Sequence, residues 1–293
     1  MVKAIIFDLD GTLCNTVEDI RTGLNAMLTK LGYKTRSRAD VIKFINNGAR
    51  TLVRRALPKE VQGVEFIVDS ALEVYASEYS KCYCEFTEAY NGIEYMLAEL
   101  KRKGYKLAVF SNKQDGFVKD IVSRLFNKKL FSEILGQGSF PTKPDPTGAH
   151  YIAKQLGVKL SSCVYVGDSD VDFKTAQNAD MEFIGCDWGY RGEEFLRAAG
   201  AVRIAKRPED IIEHISLIEL EEQRLREEKK RAKRNKGAKA KDTEDEVLKA
   251  QTLPEENAEN DNEDVPKDDT DISDIQNDDT ASEQSENEDK GEE

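Results

Sequence analysis

The chain is short of the residues that often carry chemistry. It has two histidines and one tryptophan in 293 residues. His150 follows a lysine on a helical stretch and His214 lies near the last helix, and both read as structural or exposed residues rather than as bases. The five cysteines (Cys14, Cys82, Cys84, Cys163, Cys186) are odd in number and contain no C-x-x-C pair, which describes reduced thiols in a cytosolic protein. No apolar run approaches the roughly 20 residues needed to span a bilayer. An apolar strand opens the chain and leaves no room for a signal peptide, so a cytoplasmic protein without membrane contact is expected. No aromatic residue follows Phe195.

That last absence locates a boundary. Residues 242–293 hold 22 acids against 3 bases, a block that repels itself, stays solvated and is expected to be disordered. Residues 1–219 are balanced at 30 acids and 30 bases, so the net charge of −13 belongs to the tail and says little about a substrate. Between them, residues 224–241 are strongly basic. The run at 229–236 is the sole candidate for a nucleic-acid contact, and a solvated helix end accounts for it better. No sequence feature names a partner for the tail.

What is present begins at residue 2. Val2-Lys3-Ala4-Ile5-Ile6-Phe7 is a short, β-branched and aromatic run that suits a strand buried on both faces. Asp8-Leu9-Asp10-Gly11-Thr12 follows at the strand's carboxyl end, where open α/β sheets place their sites. Two acids this close repel unless a cation or shared proton intervenes. Similar strands are expected at 105–110, 134–136, 162–166, 183–186 and 202–204, separated by helical periodicity. This predicts an α/β, Rossmann-like parallel core. Three strands run into polar stretches: Ser111-Asn112-Lys113, Thr142-Lys143-Pro144-Asp145 after the short third strand, and Gly167-Asp168-Ser169-Asp170-Val171-Asp172. The carboxylates at 168, 170 and 172 have EF-hand spacing, but that loop's glycine and terminal glutamate are missing. Pro144 is read as opening the helix that follows Lys143.

Residues 15–85 instead read as helical throughout: apolar positions at helical spacing from Val17 to Leu31, a short helix ending at Asn46-Asn47-Gly48, a third stopping at Pro58, and a fourth over 66–83. Such an insert is large enough for a small bundle with its own core.

The four polar stretches, in this order and each beside a strand, resemble the motifs of haloacid dehalogenase superfamily phosphatases, and the insert resembles their helical cap. Asn47-Gly48-Ala49-Arg50 resembles the cap loop of the phosphoglycolate phosphatase subgroup. The resemblance covers residues 1–219. It implies a core of residues 1–14 plus 88–219, a cap of 15–87, and a basic helix and acidic tail over 220–293. It implies Mg²⁺ held by Asp8, the Asp10 carbonyl and Asp168, with Asp172 ligating or hydrogen-bonding behind them. Asp8 would be the nucleophile and Asp10 the acid/base, with Lys143 neutralising charge. Ser111 and Asn112 would bind the phosphoryl group with Lys143. Gly48 would let the cap loop approach a small phosphorylated metabolite, and Arg50 would meet a carboxylate or second phosphate. A solvated Arg50 on an inter-helix turn fits equally well. Asp10 argues against dehalogenation, where halide leaves unprotonated. 2-Phosphoglycolate is the favoured substrate. A β-phosphoglucomutase-like mutase, a pyrophosphatase and a 5′-nucleotidase stay open, as does an interaction protein on this scaffold.

Overall fold

The computed structural model describes residues 1–250 apart from Lys128 and Ser139, with side chains described through residue 234. In chain order the elements are β1 (Ala4–Phe7), β2 (Cys14–Asn15), α1 (Val17–Lys30), α2 (Arg38–Phe44), α3 (Gly48–Ala56), α4 (Glu65–Tyr79), β3 (Glu88–Ala89), α5 (Ile93–Arg102), β4 (Lys106–Gln114), α6 (Asp115–Leu125), β5 (Phe131–Gln137), α7 (Thr147–Gln155), β6 (Cys163–Gly167), α8 (Asp170–Asn178), β7 (Glu182–Cys186), α9 (Gly192–Ala198), β8 (Arg203–Ala205) and α10 (Asp210–Ala250). Met1–Lys236 fold as one compact unit.

Six of the strands form one parallel sheet in the order β5-β4-β1-β6-β7-β8. β1 is buried along its whole length because it has a strand on each side and helices over both faces. Its side chains alternate accordingly. Ile5 and Phe7 pack with Met96 and Leu97 of α5, Ile121 of α6 and Ile211 of α10. Ala4 and Ile6 face Ile152 of α7 and Ala176 of α8. The chain order reverses at β1, with β4 on one side and β6 on the other. In an open α/β sheet the crevice at the carboxyl ends of such strands is where ligands bind.

The expected insert is helical and has a core of its own, built from residues such as Leu24, Met27, Val41, Val53, Leu57, Val68 and Tyr75. The chain leaves the sheet through β2 and returns through β3, which pair antiparallel as Cys14↔Ala89 and Asn15↔Glu88. This two-residue ribbon is too short to show as periodicity. Asp19, fully buried in the first turn of α1, fastens the return. Its carboxylate accepts from Phe86 N (3.0 Å), Thr87 N (2.8 Å) and Thr87 Oγ1 (2.6 Å).

Several boundaries differ from those expected. α4 stops at Tyr79, not residue 83, and the turn beyond it lets Tyr83 join Tyr79 against Phe117. β4 continues through Gln114, so Ser111 lies in the strand rather than past its end. Pro144 does not open α7. A cis Lys143–Pro144 bond precedes a turn, and Pro146 takes the N-cap position. α10 runs to Ala250, and residues 251–293, the bulk of the expected acidic tail, lie outside the described residues. Among the described residues no helix is long and apolar enough to cross a membrane.

Candidate active site

Asp8 stands one residue beyond β1, Ser111 is in β4 and Asp168 is one residue beyond β6, so three adjacent strands deliver them to one crevice. Lys143 arrives from the connection between β5 and α7. Its ammonium is 2.9 Å from Asp8 Oδ1 and 2.6 Å from Asp172 Oδ1, with all three side chains buried. It also lies 5.8 and 5.7 Å from the ring centroids of Phe110 and Tyr165, which shield it from water. Burial by itself would push this lysine's pKa down, but Asp172 and Asp8 outweigh it and hold it well above its usual value.

Asp8, Asp168 and Asp172 bring carboxylate oxygens within 4.8 Å of one another. Three carboxylates around one ammonium leave two negative charges uncompensated, the complement of a divalent cation. Crowding these groups in a buried site shifts their acidity. Burial, with help from Asp172 and Asp10, raises Asp8 to about 7 despite Lys143. Burial, then Asp172 and Asp8, likewise pushes Asp168 well above the carboxylate range. Asp8 Oδ1 is buried with no aligned hydrogen-bond donor, although the Lys143 ammonium is near. Three buried carboxylates that offer hard oxygen donors to one point fit a small divalent ion.

The two outer acids differ. Both Asp172 oxygens are in use, one by Lys143 and the other by Ser169, whose hydroxyl (2.6 Å) and N–H (3.2 Å) donate to it at the start of α8. Asp172 therefore holds Lys143 from behind. Asp170 instead pairs with Lys174 in the next turn of the helix (3.1 Å). Gly11, at φ +85°, lies so close to Asp168 and Tyr190 that an added Cβ would strike both.

Sequence reasoning missed the surroundings of Asp10. Its Oδ1 accepts from Lys113 Nζ at 2.7 Å and from Thr16 Oγ1 at 2.5 Å. Lys113 lies two residues beyond Ser111, on the same side of an extended strand, and that spacing is the signal that could have drawn attention to it. Tyr190 closes the far side. Its N–H donates to Asp168 Oδ2 (2.8 Å) and its hydroxyl accepts from Thr16 N (2.8 Å), while Trp188 Nε1 donates to the Thr12 carbonyl (3.0 Å).

A cavity of about 360 Å³ lies over this crevice, between Asp8, Asp10, Ser111, Lys113 and Lys143 below and residues of α1, α3 and α4 above. Asn112 joins the two sides. Its amide donates to the carbonyls of Asn46 (3.0 Å) and Lys143 (3.1 Å), and its oxygen accepts from Lys143 N (2.7 Å). Gly48 lines the cavity at φ +80°. Arg50 lines it too, but its guanidinium already donates to Glu65 (2.5 Å) and to Asp69.

The haloacid dehalogenase-like hydrolase model matches residues 5–186. A phosphoglycolate phosphatase of Psychrobacter arcticus is 36% identical over 201 residues, covering 67% of this chain and 87% of that one. A solved structure from Lactobacillus delbrueckii subsp. bulgaricus superimposes with a TM-score of 0.69 at 31% identity, over 73% of this chain and 98% of the other. The predicted phosphoglycolate phosphatase of Haemophilus somnus gives 0.68 at 29% identity, over 73% and 98%. The chain belongs to the haloacid dehalogenase-like hydrolase family, in its phosphoglycolate phosphatase-like group, and is a phosphoric monoester hydrolase.

Proposed function

We propose that the chain is a Mg²⁺-dependent phosphatase that works through an aspartyl-phosphate on Asp8, with 2-phosphoglycolate as its substrate. The observation that carries this reading is the convergence of Asp8, Asp168, Asp172 and the Lys143 ammonium, drawn from separate parts of the chain, beneath one cavity. The Asp8 side chain, the Asp10 carbonyl and Asp168 would hold Mg²⁺, which supplies the positive charge that lets an anionic nucleophile approach an anionic phosphate. Lys143 and the Ser111 hydroxyl hold the phosphoryl oxygens. An Asp8 oxygen attacks phosphorus and the bond to the leaving oxygen breaks. Asp10 gives that oxygen its proton. It then takes one from the water whose oxygen attacks the aspartyl-phosphate, releasing phosphate and restoring Asp8. Asn112 serves this chemistry by fixing the Lys143 backbone and the cap loop at Asn46.

The substrate reading is supported by the names of the P. arcticus and H. somnus relatives and by a cavity sized for a small metabolite. The helical insert, residues 15–87, acts as a cap that excludes water and selects the substrate. A cytoplasmic location agrees with five free cysteines. Phosphate release with Mg²⁺ is the test, over 2-phosphoglycolate, hexose phosphates, nucleotides and pyrophosphate. A kcat/KM at least about tenfold higher for 2-phosphoglycolate is expected. Preference for a hexose phosphate, with interconversion of isomers, would install the mutase reading instead.

A further inference from the structure

We propose that Lys113, Tyr79 and Asn46 form a carboxylate subsite in the cavity, which reads the second anionic group of a phosphate monoester. The proposal rests on the phosphoglycolate reading above and moves recognition of the carboxylate away from Arg50.

All three residues line the same cavity. The Tyr79 hydroxyl is buried without a hydrogen-bond partner, on a residue only 3% exposed. Burial raises its pKa well above the usual tyrosine value, so it remains an O–H donor. The Asn46 side-chain nitrogen is buried and unpartnered as well, although the Asn46 carbonyl accepts from Asn112. Buried donors left unmade are costly, and two carried by residues that line one cavity call for a ligand with acceptor oxygens. The Lys113 ammonium supplies charge. It sits 5.3 Å from the centroid of the Tyr79 ring, and its side chain is 7% exposed. An ammonium has three N–H donors, and here one serves Asp10.

Position agrees with this chemistry. In a carboxymethyl phosphate the carboxylate is one methylene from the ester oxygen. Asp10 is the residue that meets that oxygen, and Lys113 is bonded to Asp10. A cation there is within reach of a carboxylate so close to the scissile bond. Arg50 is poorly placed to compete. Arg50 and Arg54 face Glu65 and Asp69, two cations against two anions with no surplus charge. An uncharged analogue would leave the Tyr79 and Asn46 donors unpaired, which is how a polar subsite rejects the wrong ligand.

The experiment compares kcat/KM for 2-phosphoglycolate with that for ethyl phosphate, which lacks the carboxylate, using the full chain with Mg²⁺. Lys113→Gln is expected to lower the ratio of the two by about 100-fold, chiefly through KM for 2-phosphoglycolate. Tyr79→Phe, which removes one oxygen and leaves the packing intact, is expected to lower it about tenfold and carries the test if Lys113→Gln does not fold. A high ratio in the wild type that both variants retain overturns the subsite and leaves the phosphoglycolate reading standing. Loss of the ratio in Arg50→Gln alone returns the carboxylate to Arg50 and also overturns it. A wild-type ratio near one removes the phosphoglycolate reading, and the subsite falls with it.

Discussion

At Asp8 a single carboxyl group carries opposing demands. As the proposed nucleophile it must be ionised, yet burial holds it to about 7 where an ordinary aspartate sits at 3.8. The metal-free folded chain therefore keeps a proton on Asp8 that the unfolded chain has lost. This group's contribution to stability is full below about pH 4 and is lost as pH rises to about 7. A divalent ion must displace that proton, so binding strengthens over the same range. The rise in Tm on adding Mg²⁺ should accordingly be larger at about pH 8 than at about pH 5.5, as thermal melts will show. Equal shifts would take Asp8 out of the metal site. Asp8→Asn keeps the shape but removes the proposed nucleophile, and turnover should fall about 1,000-fold or more in a phosphate-release assay. Gly11→Ala would force a Cβ toward Asp168 and Tyr190 at φ +85°. A loss of at least about 1 kcal/mol is expected by urea denaturation, with weakened Mg²⁺ binding.

Between elements, the joint of the sheet core and the helical insert is the place to probe. The β2–β3 ribbon gives it direction but little strength, being two residues long on each side. Asp19 of α1 supplies the rest through the donors of Phe86 and Thr87. Asp19→Ala would leave those donors without their acceptor and should cost about 2–4 kcal/mol in urea denaturation. If the cap closes about this joint, KM for substrate should also rise. A variant as stable as the wild type would show that the ribbon alone fixes the cap.

Across the whole molecule, α10 divides into a part that holds the core and a part that does not. Ile211, Ile215 and Ile218 are buried beneath the sheet, whereas Leu220 and Leu225 are exposed. Among the described side chains beyond residue 219, α10 meets the core through surface ion pairs such as Arg203 with Glu221 and the Met1 amino group with Glu222. Such pairs contribute about 0–1 kcal/mol each. Removing residues 220–293 should leave kcat/KM within about twofold and Tm little changed. Lost activity would give the tail a part in catalysis, and truncation before Ile211 should unfold the chain.

The sequence was legible where the signal is local. A buried strand is a short apolar run, and the polar residues at or just beyond its end follow it directly in the chain. Asp8, Ser111 and Asp168 could therefore be marked before their meeting was known, and the helical insert announced itself by its period. Contacts between distant positions left no such trace. Lys113 meets Asp10 across 103 positions, and Asp19 meets Thr87 across 68. Strand order and cap placement alone bring them together. The same holds for Arg50, whose sequence offers a free cation until α4 sets Glu65 and Asp69 beside it. By itself the sequence determined which acidic, hydroxyl and cationic side chains this protein brings to its strand ends and on which strands they ride, because periodicity and turn chemistry act over a few residues. Only the tertiary structure decided which charges are already spent and which still face the cavity, because ion pairing in a buried crevice depends on neighbours that the chain order does not reveal.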